Sequence, residues 1–205
     1  MKLYGHPMST CTRKVLTVLA EKGHEAEVVV VDLMKGEHKQ PEHLARHPFG
    51  VIPLLEDGDF RLYESRAIMR YLDAKLPGAP LTPTELRSRA LMDQWISVEQ
   101  SYFSTPVIKI LYQRILLPMR GQEGDESIVE SATADIAKAL DVADKALAGQ
   151  EYLAGSSFSL ADVSFMPYLG CLVASKAEAL IASRPNVAAW WKRLSARPSW
   201  VKVSG

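Results

Sequence analysis

A change of rhythm at Pro77-Gly78-Ala79-Pro80 constrains this chain more than any other feature. Before it, short β-type runs alternate with helix-type stripes; after it, no convincing strand occurs. Two prolines and a glycine within four residues end a helix and open a linker. The sequence therefore predicts a first unit over 1–77, a linker over 78–84 and an all-helical unit over 85–205. That division suits 205 residues, since one or two domains are expected at ~100–200 residues each. The 24 Lys and Arg residues balance 24 Asp and Glu, and 47% of the chain is hydrophobic. Such a composition excludes disorder, which needs low hydrophobicity and high net charge. It also gives no electrostatic footprint for nucleic acid or an anionic membrane surface.

In the first unit, Leu3-Tyr4 reads as a short strand broken by Gly5 and Pro7. A helix is predicted from about Cys11 to Lys22, with Val15, Leu16, Val18 and Leu19 on its apolar side and Gly23 as its stop. Ala26 to Val31 is a β-branched run suited to a buried strand, parallel to the first if the helix is a crossover. Met34 to Pro48 is mostly polar and reads as a loop with at most short helical turns. Asp57-Gly58-Asp59 between Ile52–Glu56 and Phe60–Leu62 signals a hairpin. Ser65 is expected to cap a final helix, Arg66 to Leu76. The order matches a thioredoxin-like βαβ unit followed by ββα.

In the second unit, a long helix starts near Thr84 and carries Leu91, Trp95, Val98, Tyr102 and Phe103. Pro106 should kink or divide it and Pro118 should end it. Asp125 to Leu147 predicts a second helix, with Ile128, Ala132, Ile136, Leu140, Ala143 and Leu147 on one stripe. Ser159-Leu160-Ala161-Asp162 reads as a capping-box variant opening a third, which gives Asp162 a structural role. Pro185 fits the first turn of a further helix holding Trp190, Trp191 and Leu194.

Chemistry concentrates in Gly5-His6-Pro7-Met8-Ser9-Thr10-Cys11-Thr12-Arg13, which joins the first strand to the first helix. A helix N-terminus has unpaired N–H groups and partial positive charge, so it favours an anion beside it. A hydroxyl there can donate to a bound thiolate and lower that thiol's pKa. By itself this spacing reads first as Ser9 or Thr10 capping the helix. Cys11 could itself be a reactive thiol, although Lys14 stands where a Cys-x-x-Cys pair would need its second cysteine. Pro53 opens a strand, where a proline's missing donor is tolerated. Glu64-Ser65 could grip the amino and carboxylate groups of an amino acid, or be a solvated glutamate beside a cap. His38 and Lys39 in Lys35-Gly36-Glu37-His38-Lys39 could bind a carboxylate or belong to a solvated loop. The five histidines show no metal-ligand spacing with cysteine, and no phosphate-binding glycine loop occurs.

The order of these signals is more specific than any of them alone. Gly5-His6-Pro7-Met8-Ser9, Gly36-Glu37-His38-Lys39, Pro48-Phe49-Gly50-Val51-Ile52-Pro53, Leu55-Glu56-Asp57-Gly58-Asp59 and Tyr63-Glu64-Ser65-Arg66-Ala67-Ile68 together resemble the glutathione transferases, particularly the phi class. The Ser159–Asp162 box resembles that family's folding motif, so the resemblance spans nearly the whole chain.

The resemblance implies a detoxifying transferase: an α+β thioredoxin-like domain followed by an all-α domain, assembled as a homodimer. It implies that Ser9, with Thr10 beside it, faces the sulfur of bound glutathione, and that His38 and Lys39 meet the glycyl carboxylate. Val51, Ile52 and Pro53 would lie against the cysteinyl unit, with the Ile52 backbone pairing with it and Pro53 cis. Glu64 and Ser65 would grip the γ-glutamyl end. An apolar electrophile site between the domains would be walled by residues drawn from Met8, Thr10, Cys11, Leu33, Tyr102, Phe103 and Tyr112. Phe49 is expected either to insert into a neighbouring subunit or simply to pack. Reduced glutathione would be a co-substrate, with no tightly bound cofactor and no metal. Two departures stand out: Val51 where the family usually has Gln, whose side chain can bond glutathione, and His47 for a common Asn.

Two other functions fit the same residues. One is a glutathione-dependent thiol-disulfide reductase or peroxidase using Cys11; the other is a non-catalytic carrier of apolar ligands. Cys11 and Cys171 form no disulfide framework, which fits a reducing compartment. The opening Met1-Lys2-Leu3-Tyr4-Gly5 has no apolar stretch suited to a signal peptide. A cytoplasmic protein without membrane or nucleic-acid partners is expected.

Overall fold

A computed structural model describes residues 1–205, which divide into residues 1–81 with 198–205, and residues 82–197. In the first unit, β1 (Lys2–Gly5), α1 (Thr10–Glu21) and β2 (Glu27–Val30) form a βαβ crossover. The 3₁₀ turn Glu37–Lys39 and the short α2 (Pro41–Leu44) follow, then the hairpin β3 (Leu54–Asp57) and β4 (Phe60–Tyr63), and α3 (Ser65–Lys75). The four strands are ordered β2-β1-β3-β4, with β1 parallel to β2 and antiparallel to β3, and β3 antiparallel to β4. This is the predicted thioredoxin-like arrangement.

Three local expectations change. The β-branched run at β2 is not a buried strand: it forms the sheet edge, and Val30 is 55% exposed. Its composition suits a pleated surface rather than burial on both faces. Ser65 is the first residue of α3 rather than its cap; Glu64 takes the cap position at φ 71° with no side-chain bond to the helix. The third change lies at 198–205, predicted within the helical unit. There α10 (Pro198–Ser204) packs on α1, with Ser199 bonded to Glu21 and Lys202 paired with Glu25 at 2.5 Å.

Leu3, Val15, Val18, Leu54, Leu55, Ile68, Met69 and Leu72 are wholly buried and form the core of this unit. Lys22 at the end of α1 meets Asp73 of α3 at 2.7 Å, both side chains nearly inaccessible, and Asp73 also accepts from Leu81 N at 2.9 Å. A buried pair of this kind fixes geometry; losing one partner leaves an uncompensated charge. His47 is also buried, its ring stacked on Tyr63 at 4.6 Å, and neither ring nitrogen has a partner. Burial, reinforced by the charge of nearby His43, pushes the His47 imidazole below its ordinary pKa.

The second unit is helical throughout. Glu85 caps α4 (Leu86–Val98), which runs through a π segment, Glu99–Phe103, into α5 (Ser104–Leu111) and a second π segment, Tyr112–Leu116. Pro106 sits in the first turn of α5, so the helix divides where a proline can be accommodated. Met92, Trp95, Ile96, Phe103 and Val107 are buried, whereas Leu91 faces out. Asp125 caps α6 (Glu126–Ala146), whose Ala132, Ile136, Leu140 and Ala143 are buried as expected, whereas Ile128, expected on the same stripe, is exposed and Val129 is buried in its place. α7 (Leu160–Ala174) is buried on nearly every face, and α8 (Ala179–Ala182) and α9 (Pro185–Ser195) follow. Trp190 is fully buried and Trp191 half-buried. No helix is long and apolar enough to cross a membrane.

Asp162 anchors this unit. Its carboxylate accepts from Ser159 N at 2.9 Å, Ser159 Oγ at 3.0 Å, Leu153 N at 3.1 Å and Trp190 Nε1 at 2.9 Å. It therefore joins the start of α7 to the preceding loop and to α9. Burial raises its pKa, opposed by these donors.

Two outcomes follow. Asp162→Asn keeps one acceptor but sets an amide N–H₂ against a donor, so chemical denaturation should show a loss of about 1–3 kcal/mol. For His47, the unfolded imidazole takes up a proton below pH ~6.5 and the buried one resists, so stability falls as pH drops through that range and is unaffected above it. The slope should reach up to about 1.4 kcal/mol per pH unit. Denaturation midpoints between pH 7.5 and 5.5 should show a flatter slope in His47→Asn, whatever its stability at neutral pH.

Candidate functional site

Strand register brings the sequence-predicted residues to one end of the sheet. Gly5, at the end of β1, pairs with Val30 at the end of β2, and Tyr4 pairs with Leu54 at the start of β3. Leu54 in turn pairs with Tyr63 at the end of β4. Four connections therefore emerge together: the turn carrying Ser9, the loop carrying His38 and Lys39, the approach through Ile52-Pro53, and the Glu64-Ser65 step into α3.

The Ser9 turn is closely specified. A Cβ on Gly5 would lie 2.6 Å from Thr12 Oγ1, so only glycine lets the strand pass this close to the helix. Thr12 Oγ1 accepts from His6 N at 3.3 Å, and Ser9 N donates to His6 O at 2.8 Å. Ser9 is extended (φ −72°, ψ 128°) and caps α1, its Oγ accepting from Thr12 N at 3.4 Å. A serine hydroxyl that accepts through oxygen still has its O–H to donate. Capping and donation to an anion are thus compatible uses of one side chain. Arg13, one turn along, donates to Pro7 O at 2.9 Å and contacts Met8 Sδ at 3.3 Å, holding the turn from outside.

The second connection is tied to the third. Gly50, at φ 57°, lies under the 3₁₀ turn, where a Cβ would come within 2.9 Å of His38 O. Lys39 Nζ donates to Phe49 O at 3.2 Å, and the buried His43 ring shares a hydrogen bond with Val51 O at 2.9 Å through Nε2. His38 Nδ1 is buried without a partner, and burial holds the ring's pKa down. The Ile52–Pro53 peptide is cis, and Val51 is 43% exposed. Glu64 stands exposed in a left-handed conformation that costs a non-glycine residue about 1–3 kcal/mol. Such strain is characteristic of binding sites. Its carbonyl still starts α3 by accepting from Ile68 N at 2.9 Å, and Ser65 behind it is buried.

Among the expected wall residues, Met8 and Leu33 are exposed and Thr10 and Cys11 partly so in the first unit. In the second, Tyr102 is 65% exposed and Tyr112 also reaches the surface. Phe103 is a correction: it is fully buried against Phe165, ring centroids 5.0 Å apart, and Tyr168, and walls no open cleft. Phe103 continues the buried stripe of Trp95, Ile96 and Glu99, and Tyr102 faces outward. Sequence reading also missed Arg13 and His43. Arg13 falls four residues after Ser9, on the same helix face, which was the available signal; nothing local distinguishes His43.

Residues 1–74 match the family model for the glutathione S-transferase N-terminal domain, and 107–198 that for its C-terminal domain. The chain is 38% identical over 206 residues to glutathione S-transferase F12 of Arabidopsis thaliana, covering 99% of this chain and 96% of that protein. The crystal structure of glutathione transferase F7 from Populus trichocarpa superposes with a TM-score of 0.93 at 41% identity, over 99% of this chain and 97% of that one. Glutathione S-transferase I from maize, solved in complex with an atrazine glutathione conjugate, gives 0.91 at 38% identity, over 99% and 95%. From two matching domains and relatives aligned along their whole length, the chain belongs to the glutathione S-transferases, with plant F-type, phi-class enzymes among its relatives.

Proposed function

We propose that this transferase conjugates the thiolate of reduced glutathione to apolar electrophiles, with the Ser9 hydroxyl donating to the sulfur. The observation that carries this reading is the Ser9 cap geometry, which leaves an O–H at the N-terminus of α1 on the shared end of the sheet. A charge-assisted donor and the helix terminus both favour sulfur as the anion. The thiol proton leaves to solvent, the new S–C bond forms at the electrophilic carbon, and that carbon's leaving group departs. Proximity of the two reactants supplies the rest of the acceleration. The maize relative's complex with a glutathione conjugate supports conjugation as the reaction.

In this reading Thr10 lies beside the sulfur, and His38 and Lys39 receive the glycyl carboxylate. The Ile52 backbone pairs with the cysteinyl unit alongside Val51 and Pro53, and Glu64 with the first N–H groups of α3 holds the γ-glutamyl end. Strain at Glu64 is then the cost of aiming its carboxylate at an ammonium. Met8, Thr10, Cys11, Leu33, Tyr102 and Tyr112 remain candidates to contact the electrophile. Phe49, 66% exposed with its ring edge-on to Tyr63, is the group that would enter the neighbouring subunit of a homodimer. A cytoplasmic location belongs to the same reading, supported by two cysteines outside any disulfide.

Ser9→Ala should lower kcat with 1-chloro-2,4-dinitrobenzene by about 10- to 100-fold, the worth of one charge-assisted hydrogen bond, while glutathione affinity changes much less. Its kcat–pH profile should shift to higher pH. Full turnover in Ser9→Ala, with loss of glutathione-dependent disulfide or peroxide reduction in Cys11→Ser, would replace conjugation by the thiol-disulfide reading. Ligand binding without turnover across an electrophile panel would leave a carrier. Val51→Gln, at an exposed position, should lower the KM for glutathione about two- to tenfold by adding one hydrogen bond.

A further inference from the structure

The helical unit has a depression of its own. Thr105, Ile108, Lys109 and Tyr112 recur every three or four residues along α5 and the π segment after it, so they lie on one stripe. With Gln113, and Tyr168 from α7, they line a cavity of about 370 Å³. That volume lies within the range of small-molecule sites.

The lining is chemically lopsided. Ile108 and the exposed Tyr112 ring offer apolar surface for a flat molecule, the buried Tyr168 closes the floor, and Lys109 supplies a cation. No aspartate or glutamate lines the cavity, and Lys109 makes no ion pair. The neighbouring Arg114, by contrast, is committed to Glu126 at 2.8 Å and reaches the carbonyls of Ser175 and Lys176. A second cation lies on the same side, with the Arg120 guanidinium 6.0 Å from the Tyr112 ring centroid. A neutral apolar ligand would cover Lys109 and leave its charge without a counter-ion, whereas an acid on the ligand would supply one.

We propose that this pocket selects flat apolar electrophiles that carry a carboxylate or sulfonate, with Lys109 recognising the acid. The inference rests on the conjugating reading and names its substrate class. The reaction is unchanged: the S–C bond forms, chloride leaves a chloro-nitroarene, and the thiol proton goes to solvent.

The test uses 4-chloro-3-nitrobenzoate and its methyl ester, whose different intrinsic reactivity cancels when their ratio is compared between protein variants. The ratio of kcat/KM for acid over ester should fall about fivefold in Lys109→Met, the worth of a solvent-accessible ion pair. Lys109→Arg, which keeps the charge, should retain the ratio. An unchanged ratio in Lys109→Met would overturn the proposal and leave Lys109 as an ordinary solvated side chain. The unreactive 4-methyl-3-nitrobenzoate, titrated calorimetrically into the intact protein, separates this outcome from failure of conjugation. If neither chloride is conjugated, the conjugating reading fails, and weaker binding of the unreactive acid to Lys109→Met still supports acid recognition. Equal binding to both proteins would overturn it.

Discussion

Strand register at one end of a four-stranded sheet is the constraint on which the site depends. Because β1 is parallel to β2 but antiparallel to β3, the C-terminal ends of β1, β2 and β4 and the N-terminal end of β3 all fall together. A single-residue slip would send every side chain of the slipped strand to the other face. It would also carry the Ser9 turn out of line with Pro53 and Glu64. Buried Leu3, Leu54 and Leu55 prevent that slip, so the apolar core sets the spacing of polar groups that make no part of it.

The helical unit solves a different problem. α7 has almost no polar face, and a helix buried all round has few groups with which to fix its start or orientation. Asp162 provides them, gathering donors from the cap, the preceding loop and the α9 indole on two oxygens. Asp144 does the same at the start of α9, accepting from Asn186 N at 2.8 Å and Val187 N at 2.9 Å. Asp144 meets two N–H groups in the first turn of α9, the favourable end of its dipole, whereas Asp162 meets one, that of Ser159 at the cap of α7.

What the sequence made legible was local. The Asp57-Gly58 turn, the Ser159–Asp162 box and the glycine-proline break each state a backbone geometry within a few residues, and the structure has all three. The α6 stripe was readable because its period stays near 3.6 residues throughout. Phe103 was misread because it stands seven residues after Ile96 and eight after Trp95, on the buried stripe of α4 that continues through the π segment. β2 was misread as buried because β-branched residues suit an edge strand as well as a central one. Ser9 was legible as a capping residue, while the hydrogen bond between His43 and Val51, joining distant residues, left no local trace. Composition around Lys109 gave no sign either, since the cavity needs Tyr168 from another helix to close it.

The return of α10 to α1 has a consequence for synthesis. The chain leaves the first unit at Leu81 and rejoins it at Pro198, after the whole of the second unit has been made. On the ribosome, α1 must therefore wait with the flank that receives α10 and its Ser199 uncovered while every intervening helix emerges. Completion of the first unit is deferred until the second has been translated, a built-in ordering of assembly that a simple two-bead arrangement would lack.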